Sequence, residues 1–221
     1  MTTGRSTANC PPWSSDGPDT REGSFRESCA NAYRAVQANA SAKIADAADC
    51  CAWHLTMFRQ HVPLDYYAGN FRQVDTTRPC LGIDVWVAGV DGEHFARVPQ
   101  EVATLFERLR KELNSLEYSW PELTPGQRVI RLSIVLGRVV GRFIQIHPFV
   151  NGNGRTSRLL WAWGLLRFGV PPQIRVRQHP EQPNYNSIMA DAMRGDFNHL
   201  SLFILEHLMG KPPSLPISSR S

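Results

Sequence analysis

The chain has 221 residues, of which 42% are hydrophobic and 20% charged, and its formal net charge is +4. This length and apolar content fit one globular domain and exclude a largely disordered chain. The sequence contains no dense basic run of the kind that nucleic-acid-binding tails carry, so direct nucleic-acid binding is not expected. We also expect no membrane association, because no apolar run is long enough to cross a bilayer and no apolar signal core opens the chain.

The two ends differ in composition from the middle. Residues 1–22 are rich in Thr, Ser, Pro, Gly and Asp, which predicts a flexible leader, and residues 211–221 contain three prolines, which predicts a flexible tail. The domain itself is therefore expected to span residues 23–210.

The five cysteines are odd in number and lack the Cys-x-x-Cys spacing of zinc or redox sites. They are Cys10, Cys29, Cys50, Cys51 and Cys80. This pattern predicts free thiols in a reduced, cytoplasmic protein. Cys50 and Cys51 lie in an alanine-rich segment, where burial as small apolar side chains is expected.

The first half of the domain predicts helices on either side of a hairpin. Apolar residues recur at helical spacing between Ser24 and His61, which predicts two helices, and a further helix is predicted from Pro99 to about Leu113. Between them, Ile83, Val85 and Val87 alternate with other residues, and Asp91-Gly92 follows as a candidate hairpin turn.

The next helix has a clear start and a clear end. Thr124 is a candidate N-cap, Pro125 suits the first helical position, and Gln127 completes a capping box. The residues that follow are apolar on more than one face, which predicts a central, buried helix. It should end at His147, because Pro148 disfavours helical geometry in the residue before it.

A histidine-led, glycine-rich stretch comes directly afterwards and opens another helix, predicted from Arg155 to Phe168 and stopped by Gly169. The sequence of the stretch is His147-Pro148-Phe149-Val150-Asn151-Gly152-Asn153-Gly154-Arg155-Thr156-Ser157-Arg158. Glycines let backbone N–H groups face an anion, the helix start adds partial positive charge, and arginine matches phosphate oxygens. The pattern therefore predicts a general base beside a phosphate site, with Phe149 as a buried anchor.

Two other phosphate motifs do not fit this stretch. A Walker A loop needs Gly-Lys-Ser/Thr, whereas Arg155 follows Gly154 here. A dinucleotide fingerprint needs a third glycine, whereas position 157 is Ser157.

The stretch resembles the signature of the Fic domain family, in which His-Pro-Phe leads to Gly-Asn-Gly-Arg and a later arginine. Ala68-Gly69-Asn70-Phe71-Arg72 is similar to the entry of that family's target-docking flap, and Tyr185 to Leu208 is similar to its closing helices, joined at Gly195-Asp196. The resemblance covers most of the chain from about Ser24 to Met209. It implies a mainly α, compact Fic-type helical bundle with a small β-hairpin flap at about residues 80–98 and an active-site motif at residues 147–158.

The resemblance also implies an activity. Family enzymes use the histidine to take a proton from a target hydroxyl, which then attacks a nucleotide phosphate, usually the α-phosphate of ATP. By that resemblance His147 is the general base, Arg155 and Arg158 neutralise the charge of the transferred nucleotide, and the product is an AMP-modified protein. Contacts to nucleotide phosphates are assigned to five residues: Gly152, Asn153, Gly154, Arg155 and Arg158.

Asn151 departs from the commonest family pattern, since an Asp or Glu that binds Mg²⁺ usually stands there. An amide oxygen is an uncharged but hard ligand, and Mg²⁺ also binds substrate phosphates, so Asn151 is the candidate metal ligand, although a weaker one. Three hypotheses follow: an adenylyltransferase that uses ATP and Mg²⁺, a transferase of the same fold with another nucleotide or a diphosphate-linked donor, and a non-catalytic nucleotide- or partner-binding module.

Partners follow from the same resemblance. A target protein is expected to dock as an added strand along the hairpin near Val85 and Val87, although a purely structural hairpin is the alternative. Many family members are silenced by a helix with Ser or Thr, three residues, and then Glu followed by Gly or Asn. Here the one Glu-Gly step, Glu22-Gly23, has Pro18 where Ser or Thr is needed. We therefore expect either a separate inhibitory antitoxin in the bacterial cytoplasm, or a translocated effector without this device.

Overall fold

The computed structural model describes residues 9–13, 22–87, 89–172 and 185–210. Within them the chain forms seven α-helices and one two-stranded antiparallel hairpin. In chain order these are α1 (Glu22–Asn39), α2 (Ala47–Phe58), β1 (Trp86–Val87), β2 (Val90–Asp91), α3 (Val98–Ser119), α4 (Pro125–Ile146), α5 (Asn153–Arg167), α6 (Tyr185–Met193) and α7 (Asn198–Leu208). The predicted class, mainly α with a small β-hairpin, is confirmed.

Helix α4 lies at the centre of the bundle and packs against α3, α5, α6 and α7. Its predicted start is confirmed, because the Thr124 side chain accepts from the Gln127 N–H and the Gln127 side chain accepts from the Thr124 N–H. One face, with Val139 and Phe143, joins the core formed with α1, α2 and α3. Leu136 lies nearly above these residues on the helix surface, two turns before Phe143, and joins a second core formed with α6 and α7. Contacts to both cores give α4 its wide apolar surface.

The other predicted helices are also present. α1 and α2 occupy the region predicted to hold two helices, and α6 and α7 occupy the region that resembles the family's closing pair. Helix α3 continues to Ser119 rather than ending near Leu113, because Leu116 extends the buried stripe by another turn. Trp161 and Trp163 of α5 are 3% and 1% exposed, as expected of core residues.

The hairpin is present, but its turn is not at Asp91-Gly92. Val87 pairs with Val90, and Asp91 belongs to strand β2. Gly89 lies between the strands with φ +84°, a left-handed conformation that glycine adopts without a steric penalty. The turn prediction was therefore wrong, because the strands join before Asp91 and not after it.

Cys10 and Cys80 form a disulfide, so the prediction of free thiols throughout the chain is wrong. The two residues are 70 positions apart in sequence, and sequence spacing does not reveal which cysteines meet in a fold. The predicted reducing compartment, which was inferred from free thiols, therefore loses its support. Cys29, Cys50 and Cys51 are free. Burial raises the pKa of the Cys51 thiol to about 12, as expected of an unreactive thiol.

Residues 9–13 lie against the domain, so the expectation of a flexible leader does not hold for these five residues. The Trp13 ring stacks on Tyr67 with 5.9 Å between centroids, and its Nε1 donates to the His61 carbonyl at 3.1 Å. The predicted flexible tail at residues 211–221 and most of the predicted leader lie outside the described residues. No helix among the described segments has both the length and the apolar character needed to span a membrane.

We predict that alkylation of the denatured, non-reduced protein labels three cysteines, and that all five are labelled after reduction. Intact mass spectrometry measures both counts. In the Cys10→Ser variant, Cys80 is released, so reduction should add no further label. Uptake of five labels before reduction would contradict the pairing. The same variant should lose about 2–4 kcal/mol of unfolding free energy in urea, the usual contribution of such a bond.

Candidate active site

His147 caps the C-terminal end of α4 in a left-handed conformation, with φ 53° and ψ 59°. Among the described residues it is the one non-glycine residue with positive φ. Such a conformation costs of order 1–2 kcal/mol for a residue with a Cβ atom. The strain is sustained by neighbouring contacts, and it turns the chain sharply from α4 into the loop that precedes α5. The side chain is 8% exposed.

Hydrogen bonding defines which ring nitrogen of His147 can act as a base. Nδ1 lies 3.2 Å from the carbonyl oxygen of Ile144. Because a carbonyl only accepts, Nδ1 carries the hydrogen and the lone pair is on Nε2. Burial and the positive charge of Arg72 lower the pKa of His147 to about 3. The ring is therefore neutral at pH 7, with Nε2 available to accept a proton.

The Asn153 side chain holds the loop after His147 through two hydrogen bonds. Its Oδ1 accepts from the Phe149 N–H and its Nδ2 donates to the Phe149 carbonyl, both at 2.9 Å. Because both ends of the side-chain amide are engaged in the loop, the backbone N–H of Asn153 is the group that remains for the predicted phosphate contact. Phe149 is fully buried, which confirms it as a core anchor.

His54 of α2 supports the same loop, a role that was not predicted from the sequence. Its Nδ1 accepts from the Gly69 N–H at 2.9 Å, so Nε2 carries the hydrogen and donates to the Asn151 carbonyl at 3.0 Å. The ring stacks on Phe149 with centroids 3.8 Å apart. Its position one helical turn before Phe58, on the buried face of α2, was the available sequence signal.

The start of α5 provides backbone donors. Gly152 is its N-cap with φ 79°, and a Cβ atom there would lie 2.4 Å from the Phe58 ring. Gly154 has open space at its Cβ position. In the part of the chain that the structure describes, the N–H groups of Asn153 and Gly154 make no hydrogen bond. These are the first N–H groups of a helix, a favourable arrangement for a phosphate.

Arg155 and Arg158 follow on α5 and are buried, at 7% and 4% exposure. The Arg155 guanidinium lies 4.7 Å from the Phe25 ring centroid, and that of Arg158 lies 5.2 Å from Tyr185. Burial raises the pKa of the Cys29 thiol, whereas the positive charges of Arg155 and Arg158 act to lower it. Both guanidinium groups therefore lie near Cys29. The arrangement places two positive groups on rigid aromatic surfaces.

The Asn151 side chain, the predicted Mg²⁺ ligand, makes two hydrogen bonds within the protein. The Asn151 Oδ1 accepts from the Gly152 N–H at 2.6 Å, and Nδ2 donates to the Trp13 carbonyl at 2.8 Å. Mg²⁺ is usually held by one or two carboxylates together with substrate phosphates. The described residues include no group of three or more His, Cys, Asp or Glu side chains suited to a metal. We therefore derive no catalytic step through a protein-bound metal.

Comparisons with known proteins agree with the family resemblance of the sequence. Residues 44–165 match the model of the Fic/DOC family. Over 115 residues the chain is 36% identical to the protein adenylyltransferase Fic of Drosophila willistoni and 35% identical to that of Drosophila melanogaster. Each match covers 52% of this chain and 21% of the relative, so the chain spans about a fifth of their length.

A solved structure shows the same fold. It is the crystal structure of a Fic-domain-containing signalling protein from Bacteroides thetaiotaomicron VPI-5482, with a TM-score of 0.56. The match covers 91% of this chain and 78% of that one, at 17% sequence identity. The helical bundle expected from the sequence resemblance is therefore confirmed as a fold.

Two glycines of the motif should respond differently to alanine. Gly152→Ala introduces a Cβ atom against Phe58 and His54 at positive φ, so the variant should lose at least about 1–3 kcal/mol of unfolding free energy. Gly154→Ala, the matched control, meets nothing within 4 Å and should change it by less than about 1 kcal/mol. Urea denaturation measures both, and equal losses would rule out the close packing of Gly152.

The buried His147 should make stability depend on pH. Its pKa is about 3 in the folded protein and about 6.5 in the unfolded chain, so only the unfolded chain binds this proton between those values. Stability should fall as pH drops from 6.5, by about 1.4 kcal/mol per pH unit for this histidine. His147→Asn keeps a residue that tolerates the left-handed conformation but removes the titration. Urea denaturation at pH 7.5, 6.5, 5.5 and 4.5 should show a shallower fall in this variant, and identical slopes would contradict the low pKa.

Proposed function

The chain belongs to the Fic/DOC family, and we propose that it is a protein adenylyltransferase that transfers AMP from ATP to a hydroxyl side chain of a target protein. The observation that supports this most directly is the neutral His147, whose Nδ1–H is held by Ile144 while Nε2 can accept a proton. The names of the curated relatives support the same chemistry. ATP is accordingly the proposed donor.

In the proposed reaction, Nε2 of His147 takes the proton of the target hydroxyl, while the hydroxyl oxygen bonds to the α-phosphorus of ATP. The bond between the α-phosphorus and the oxygen that bridges to the β-phosphate breaks, and pyrophosphate leaves. General base catalysis of this kind typically contributes about 10²–10⁴-fold. The N–H groups at the start of α5, with Arg155 and Arg158, balance the phosphate charge, which is the main requirement of phosphoryl-type transfer.

Magnesium enters this proposal only with the nucleotide. Both ends of the Asn151 amide are engaged within the protein, so the triphosphate has to supply the charged oxygens that Mg²⁺ prefers. The prediction of Asn151 as a metal ligand stays a prediction, and dependence on added Mg²⁺ is one of the quantities to measure.

The target is proposed to dock as a strand beside the hairpin. Val85, one of the two residues predicted to lie near it, is only 1% exposed, whereas Trp86 is 46% exposed. The side-chain contact is therefore assigned to Trp86, and the backbone of the hairpin edge supplies the strand pairing. Regulation by a separate inhibitory protein also stays a hypothesis.

We predict that the purified protein, incubated with Mg²⁺ and a panel of nucleotides and nucleotide-linked donors, adds one AMP to itself or to lysate proteins only when ATP is present. His147→Ala should abolish transfer and still bind ATP, because the phosphate donors remain. His199→Ala, a histidine paired with Asp191 at the α6–α7 surface, is the matched control and should keep the activity. Intact mass spectrometry reports the added group, and isothermal titration reports nucleotide binding.

The other outcomes are equally informative. A different mass increment would replace ATP by another donor, and transfer in EDTA would remove Mg²⁺ from the proposal. Transfer that survives His147→Ala would refute the assigned base. Nucleotide binding without transfer to any protein would favour a binding module.

A further inference from the structure

Arg72 completes the C-terminal end of α4. The last carbonyl groups of a helix lack intrahelical donors and favour a positive charge nearby. Helix α4 has no basic residue in its own last turn. Instead, the Arg72 Nε donates to the His147 carbonyl at 2.8 Å, and Nη2 donates to the Ile146 carbonyl at 3.0 Å. The cap of α4 therefore comes from a segment that is distant in sequence.

The sequence predicted a flap at about residues 80–98, and in the structure the name flap is kept for the shorter stretch 84–92. The same guanidinium holds both ends of this stretch. It donates to the Ile83 carbonyl at 3.0 Å and to the Glu93 carbonyl at 2.7 Å. These two residues flank the flap on either side. At the flap's end, a Cβ atom added to Gly92 would lie 3.1 Å from the Cβ of His147. The flap thus lies directly against the residue that carries the base.

The site requires an arginine. Arg72 is fully buried, and burial lowers its pKa to about 10, so it stays charged at neutral pH. Four carbonyl bonds use four of the five N–H donors in a fixed planar fork, which compensates for the loss of hydration. A lysine ammonium is a compact point charge with three donors, and it cannot reproduce four bonds in this geometry.

We propose that Arg72 is a positioning residue that fixes the His147 base relative to the flap, so that a hydroxyl of a docked target meets Nε2. It acts through the backbone of His147 and of the flap ends, without touching the substrate. This inference rests on the proposed function, in which the flap presents the target. Positioning is a sensitive requirement, because a misplacement of about 1 Å can reduce a rate by roughly 10²-fold.

The electrostatic surroundings of His147 offer an independent readout. Within the described residues, Arg72 is the charged group that acts on the His147 ring. The carboxylates of Asp84 and Glu93 face Arg72, and the His94 ring lies 3.7 Å from Asp84. Removal of the Arg72 charge should therefore raise the pKa of His147, whereas a role limited to packing would leave it unchanged.

The test compares Arg72→Lys and Arg72→Gln with Arg128→Lys. Arg128 is a matched control, because it also donates to two backbone carbonyls, those of Trp120 and Pro121, but lies outside the site. We expect kcat for AMP transfer to fall by about 10–100-fold in both Arg72 variants, with KM for ATP within about twofold of wild type. Arg128→Lys should leave both constants within about twofold. NMR titration should show a raised pKa of His147 in Arg72→Gln and a smaller change in Arg72→Lys.

The outcomes distinguish failure of the positioning role from failure of the proposed function. A folded Arg72→Lys variant with wild-type kcat overturns the positioning role, as does an unchanged His147 titration in Arg72→Gln. Loss of activity that matches a loss of folded protein by circular dichroism shows a purely structural role and also overturns it. If the wild-type protein shows no transfer that depends on His147, the proposed function fails. The His147 titration then still decides whether Arg72 holds this histidine.

Discussion

The candidate site depends on the hydrogen bonds that Arg72 makes at the C-terminal end of α4, where the chain has two requirements. The final carbonyl groups need donors in a buried environment, and the chain has to reverse direction through a left-handed His147. Arg72 meets the first requirement with bonds to the Ile146 and His147 carbonyls. The same bonds hold His147 in a conformation that is unfavourable by itself. Helix capping and active-site geometry are therefore one arrangement.

The motif loop is held from outside by side chains that come from distant segments. His54 binds the Asn151 carbonyl from α2, while Phe25 of α1 and Tyr185 of α6 provide aromatic faces for the two motif arginines. Irregular backbone in a protein interior needs such partners, because its N–H and C=O groups are not paired within a helix or a sheet. The consequence is a short loop with the rigidity that transfer chemistry requires, built on the helices around it.

What the sequence predicted well was local. The capping box at Thr124 and the break at Pro148 depend on neighbouring residues, so helix α4 was predicted closely. What it missed depends on residues that meet only in the fold. The role of His54 needs the loop opposite α2, and the Cys10–Cys80 bond joins residues 70 positions apart. Arg72 belonged to a recognised pattern, yet its four carbonyl partners come from three separate segments.

The low pKa of His147 has a consequence for the order of events. A base with a pKa of about 3 is weak, and general base catalysis is most effective when the pKa lies near the working pH. Nearby negative charge favours the protonated form of a histidine and raises its pKa. A triphosphate bound at the start of α5 would oppose the charge of Arg72 and strengthen the base. In the proposed enzyme, we therefore expect bound nucleotide to raise the pKa of His147 toward the working pH, which would make it a stronger base.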